Sequence, residues 1–94
     1  MSEVVNAAVK ALSQKIDNFD AVAKFVIEGE GAIMIDGTGV RAGDEAADVT
    51  LTASRETFEG LLDGSVNPTM AYMSGKLSID GALGVAMQLG SALS

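Results

Sequence analysis

Hydrophobic positions in the first sixteen residues follow a helical period. Val5, Ala8, Val9, Leu12 and Ile16 form one apolar stripe, while Asn6, Lys10, Ser13 and Asp17 fall on the wet side. Ser2 is placed to cap this helix, with Glu3 set against the positive end of its dipole, so the spacing predicts a helix over 2–16. From Ala21 the period shortens to two. Ala23, Phe25 and Ile27 share one face of a strand at 22–28, and Val22, Lys24, Val26 and Glu28 the other. Gly29-Glu30-Gly31 turns the chain into a returning strand at 32–36, and Gly37-Thr38-Gly39 turns it again into a short strand at 40–42. After the polar Gly43-Asp44-Glu45, the run Asp48-Val49-Thr50-Leu51-Thr52 alternates cleanly, a strand at 48–52 with Val49 and Leu51 inward. Connections this short predict antiparallel pairing throughout the four strands.

The second half returns to helices. Ser54 caps a helix at 54–62 whose inner face is Phe58, Leu61 and Leu62, with Gly64 at its end. Asn67 and Pro68 open a short helix at 68–74 that stops at Gly75, and Met70, Ala71 and Met73 fall on one side of it. Lys76 to Asp80 alternates as a strand, with Leu77 and Ile79 on one face. The last helix, 82–92, has Gln88 and Ser91 as its only strongly polar positions. A helix apolar nearly all round needs cover on most of its surface. Met70, Met73 and Met87 lie in this half, and methionine suits surfaces that fit apolar shapes of variable outline. Taken alone, Met34, Met70, Met73 and Met87 fit a plain core more often than a pocket, but the missing wet face of the last helix turns the reading toward the wall of an apolar pocket. The fold class is α+β.

Composition narrows the function by exclusion. Ninety-four residues hold one hydrophobic core, a single domain over 1–94. With neither cysteine nor histidine, thiol chemistry and His-based acid–base work are out of reach, and a zinc site is disfavoured. A net charge of −7 argues against nucleic acid and leaves at most transient contact with anionic membranes. Residues 1–20 do not read as a secretion signal, and the Ala-Leu-Ser ending is not a peroxisomal address, so a cytoplasmic protein is expected. Asp44, Glu45 and Asp48 lack the spacing of a calcium loop. Ser54, Ser65, Ser74 and Ser78 have no evident base to activate them. The expectation is a non-enzyme without metal or cofactor.

Beyond these patterns, an ordered set of residues carries a resemblance. Asn67-Pro68, Tyr72, the run Ser74-Gly75-Lys76-Leu77-Ser78-Ile79-Asp80-Gly81 and then Leu83-Gly84-Val85-Ala86-Met87 resemble the C-terminal half of the sterol carrier protein 2 family, the non-specific lipid-transfer proteins. Ala47 to Thr52, ahead of a Ser-capped helix, is similar to the same family in the same order, and the likeness covers roughly 25–89. The resemblance implies a five-stranded, mainly antiparallel sheet with helices on one face and an apolar tunnel between them. It implies a tunnel for fatty acids, acyl-CoA, phospholipids or sterols. On this reading the lipid-facing residues are Phe25, Met34, Phe58, Leu62, Met70, Met73, Leu83 and Met87, with Lys24, Arg41, Arg55 and Lys76 the nearest cations. Binding would draw on ~0.8 kcal/mol for each methylene removed from water. Two other readings stay open: a protein-interaction or dimerisation module, and an accessory domain presenting apolar substrate to an enzyme. The chain is expected as a monomer or a homodimer.

Overall fold

The computed structural model describes residues 3–16 and 18–93, so Ser2 and Asp17, used above at the first helix, lie outside the described residues. Helix α1 (Glu3–Lys15) buries Val5, Ala8 and Leu12, and Ile16 just beyond it is also buried. Strands β1 (Ala23–Ile27), β2 (Gly31–Asp36), β3 (Gly39–Ala42) and β4 (Val49–Ala53) follow, then α2 (Arg55–Asp63), α3 (Pro68–Met73), β5 (Leu77–Gly81) and α4 (Leu83–Leu93).

The five strands form one sheet in the order β3-β2-β1-β4-β5. Three of the four pairings are antiparallel, as expected, but β4 runs parallel to β1, with Ala23 opposite Val49 and Ile27 opposite Ala53. The expectation of antiparallel pairing throughout the first four strands is corrected here. Short connections forbid a parallel partner only between consecutive strands. Here the whole β2–β3 hairpin and the segment 43–48 act together as the crossover. That segment returns across the face of the sheet that carries Lys24, Met34 and Arg41. Lys24 Nζ meets Asp44 Oδ1 at 2.8 Å, Arg41 Nη2 meets Glu45 Oε1 at 3.2 Å, and the Glu45 amide donates to Met34 Sδ at 3.4 Å. The Val22 amide donates to Asp48 Oδ2 at 3.1 Å, which anchors the segment at the start of β4. The three acids once weighed as calcium ligands therefore take three different partners.

The helices lie on the other face. Ala23, Phe25 and Ile27 of β1, Ile33 and Ile35 of β2, and Val49, Leu51 and Ala53 of β4 point toward them and join one core with α1, α2 and α4. Phe25 and Phe58 meet edge to face, ring centroids 4.7 Å apart at 66°, tying α2 to the central strand. Two of the helix-start caps read from sequence fall among the described residues, and both are present. Ser54 Oγ accepts from the Thr57 amide at 3.1 Å, and Asn67 Oδ1 accepts from Thr69 and Met70 at 2.9 and 3.2 Å. Gly81 marks the junction of β5 and α4. Its φ is +114°, and a Cβ there would strike the backbone carbonyl of Asp48, so no other residue fits without displacing β4.

Candidate functional site

A cavity of about 330 Å³ opens between the sheet, α2, α3 and α4. Its floor is apolar and buried: Phe25 from β1, Leu51 from β4, Leu61 from α2, Leu77 from β5, and Ala86 and Leu93 from α4. These side chains converge because inward positions on three neighbouring strands alternate on one face, while α4 presents Ala86, Leu89 and Leu93 at helical spacing. Small residues keep the roof thin. Gly90 of α4 faces Pro68 at the start of α3, where a Cβ on Gly90 would sit 3.5 Å from the proline ring.

The mouth has a different composition. Asn67, Thr69, Tyr72, Leu83, Met87 and Ser91 line it and are exposed, Leu83 by 49 % and Met87 by 67 %. Leu83, Met87 and Ser91 stand one turn apart along α4, so the helix side that lacked a wet face forms the rim of the cavity. Among the described residues, no Asp, Glu, Lys or Arg lines either floor or mouth. The expected cations stand elsewhere. Lys24 and Arg41 occupy the opposite face of the sheet, paired with Asp44 and with Asp36 and Glu45. Arg55 pairs with Glu59 on α2, and Lys76 is exposed ahead of β5. Lys15 reaches in only as far as the Leu93 carbonyl, to which Nζ donates at 3.2 Å.

Of the eight lipid-facing residues read from sequence, the structure brings Phe25, Leu83 and Met87 to this cavity. Met34 is corrected. It is fully buried but lies under the 43–48 segment on the far face, because Ile33 and Ile35 on either side of it already point to the helices. Phe58 and Leu62 line a separate groove between α1 and α2. Met70 and Met73 are 65 % and 75 % exposed, outside the lining, because Ala71 is the residue α3 turns inward. Leu51, Leu77 and Ile79, read from sequence only as inward strand positions, prove to be cavity wall, and their alternation was the signal for it. Tyr72 carried no such signal, since one turn of α3 gives no period to read.

Comparison with known proteins follows from this geometry. A family model described as the SCP-2 sterol transfer family matches residues 3–94. Hydroxysteroid dehydrogenase-like protein 2 of Xenopus laevis is 30 % identical over 98 residues, covering 95 % of this chain, while the chain spans 24 % of that protein's length. Among solved structures, sterol carrier protein 2 like 2 from Aedes aegypti superposes with a TM-score of 0.79 at 20 % identity, covering 94 % of both chains. The solution structure of sterol carrier protein 2 from Aedes aegypti in complex with the C16 fatty acid palmitate gives 0.75 at 19 % identity, with full coverage of both.

Proposed function

The chain belongs to the SCP-2 sterol transfer family, and from that premise we propose that its cavity binds and carries the apolar part of a lipid without catalysing a reaction on it. The observation that carries this is the cavity itself, about 330 Å³ with a wholly apolar floor and a mouth rimmed by Leu83 and Met87. That volume sits at the low end of small-molecule pockets, which suits one chain or one compact ring system. Each methylene that reaches the floor contributes ~0.8 kcal/mol, so a twelve-carbon chain gains on the order of ten kcal/mol gross, reduced by ordering. The palmitate bound in the Aedes aegypti relative supports the ligand class. Apolar side chains exposed beside the mouth, among them Met70 and Met73, suit brief contact with a lipid surface, while the charge of −7 works against prolonged adhesion to an anionic one.

A second reading adds to the first. The chain spans 24 % of a dehydrogenase-like relative and 17 % of a peroxisomal multifunctional enzyme of Dictyostelium discoideum. We infer that the same carrier unit can serve beside catalytic domains, holding apolar substrate near them. The neutral dye Nile red tests the shared core of both readings. It should brighten on binding the delipidated protein and dim when an unlabelled long-chain alcohol is added. Fluorescence no higher than with an unrelated acidic protein would overturn lipid binding.

A further inference from the structure

Charge is unevenly divided along the chain. Residues 1–63 hold twelve acidic side chains against five basic ones, while 64–94 hold one of each, Lys76 and Asp80, so the net charge of −7 belongs wholly to the first part. Exposed apolar surface is divided the opposite way. Among the described residues, the large hydrophobic side chains that stand exposed are Met70, Tyr72, Met73, Leu83 and Met87, all in the neutral part. Soluble proteins expose such side chains singly, and a cluster of them marks an interaction surface. These five belong to α3 and α4, the helices that frame the cavity mouth, and Tyr72, Leu83 and Met87 line the mouth itself.

Resting on the reading of this cavity as a lipid site, we propose that the α3–α4 face docks on lipid surfaces without net charge, setting the mouth against the layer from which a lipid enters. Met70 and Met73 stand on the outer side of α3 because Ala71 takes the inner one, and flexible methionine conforms to an acyl surface of no fixed shape. Tyr72, 45 % exposed, joins an apolar ring to a polar tip, which suits the boundary between head groups and chains. An anionic surface would call for clustered Lys or Arg, whereas this face offers Lys76 balanced by Asp80. Asp44 and Glu45 pair with Lys24 and Arg41 across the sheet, so they stay in water when the face is down. The negative body above the contact is repelled by an anionic layer and indifferent to a neutral one.

The chain has one tyrosine and no tryptophan, so emission excited in the tyrosine band reports on Tyr72 itself. The intact delipidated protein is to be mixed with vesicles of phosphatidylcholine whose chains carry bromine, a contact quencher. Quenching should appear and should leave with the vesicles when they are sedimented. It should weaken several-fold when about a third of the lipid is replaced by phosphatidylserine, and added salt should restore it. Met70→Ser combined with Met73→Ser, both outside the cavity lining, should raise the lipid concentration for half-quenching roughly ten-fold and leave Nile red affinity unchanged. Met73→Lys should shift the preference roughly five-fold toward the phosphatidylserine vesicles. Stronger quenching of the wild type by anionic vesicles overturns the proposal, as does a double variant quenched like the wild type, because the contact then lies elsewhere. Quenching that stays wholly in the supernatant also overturns it, since the quencher is then a lipid held in the cavity. Self-association in light scattering that the double variant abolishes does the same, since the face then covers a second copy. Nile red binding alongside any of these outcomes leaves the cavity reading intact. Failure of Nile red to bind removes that reading, and the ground for docking with it.

Discussion

Asp36 shows how much one turn residue settles locally. Its carboxylate accepts from the Thr38 hydroxyl at 2.6 Å, from the Thr38 amide at 2.9 Å and from Arg41 Nη1 at 2.9 Å. These bonds favour the charged form, the Thr38 hydroxyl foremost and Arg41 next, and hold its pKa down at about 2. Because the folded value is depressed, the stabilisation is complete above the unfolded carboxylate range. It is lost as pH falls from there through about 2. Thr38→Ala should therefore raise the Asp36 pKa toward the ordinary value, measured by NMR titration of its carboxyl carbon. An unmoved titration would show that Arg41 and the Thr38 amide hold it without the hydroxyl. The methionines give a second test at this scale. Met87 lines the cavity and Met73 does not, so Met87→Trp should reduce lipid capacity while Met73→Trp leaves it unchanged, and each should alter the stability of the delipidated protein by less than ~1 kcal/mol. Equal loss of capacity in denaturant-matched binding assays would refute that division. Residue type was thus a poor guide to the cavity. Methionine flagged Met34, Met70 and Met73, whereas position within the strand period would have set Met34 on the other face from Phe25 and Leu51.

At the scale of elements the sequence was far more informative, because amphipathic period, caps and glycine turns are local. α1, α2 and all five strands lie within a residue or two of the expected ranges, and Ser54 and Asn67 cap as expected. Two things escaped. The direction of β4 depends on where a strand docks, which no local pattern encodes. Which side of α3 turns inward depends on the close approach of β5, which admits Ala71 and leaves Met70 and Met73 outside. Gly81 tests how tightly two elements are joined. With φ at +114° and the Asp48 carbonyl where a Cβ would stand, Gly81→Ala should destabilise by more than ~1 kcal/mol in a chemical melt. Gly29→Ala, with φ of +78° but nothing near its Cβ, should lose less. The order of the two losses is the diagnostic, since equal values would mean that only backbone strain matters.

For the whole molecule, binding and stability are one quantity. A lipid that occupies the folded cavity alone, at a hundred times its dissociation constant, should add ~2.7 kcal/mol to unfolding free energy, and a melting point unmoved by such a ligand would exclude it from the native cavity. The strand order carries a further consequence, for the route by which the chain folds. β1, β2 and β3 are joined by turns of a few residues and can pair at small entropic cost, with α1 close by. β4 must instead close on β1 between partners such as Val22 and Asp48, which lie 26 positions apart, and β5 can join only after it. The cavity is roofed by α3 and α4, which rest on that later half of the sheet. Amide exchange should therefore find its slowest protons in β1 and β2 and markedly faster ones in α3 and α4, with ligand slowing the second group most. The part of the chain that assembles last is then the part that opens first, and release of the cargo becomes a partial reversal of folding.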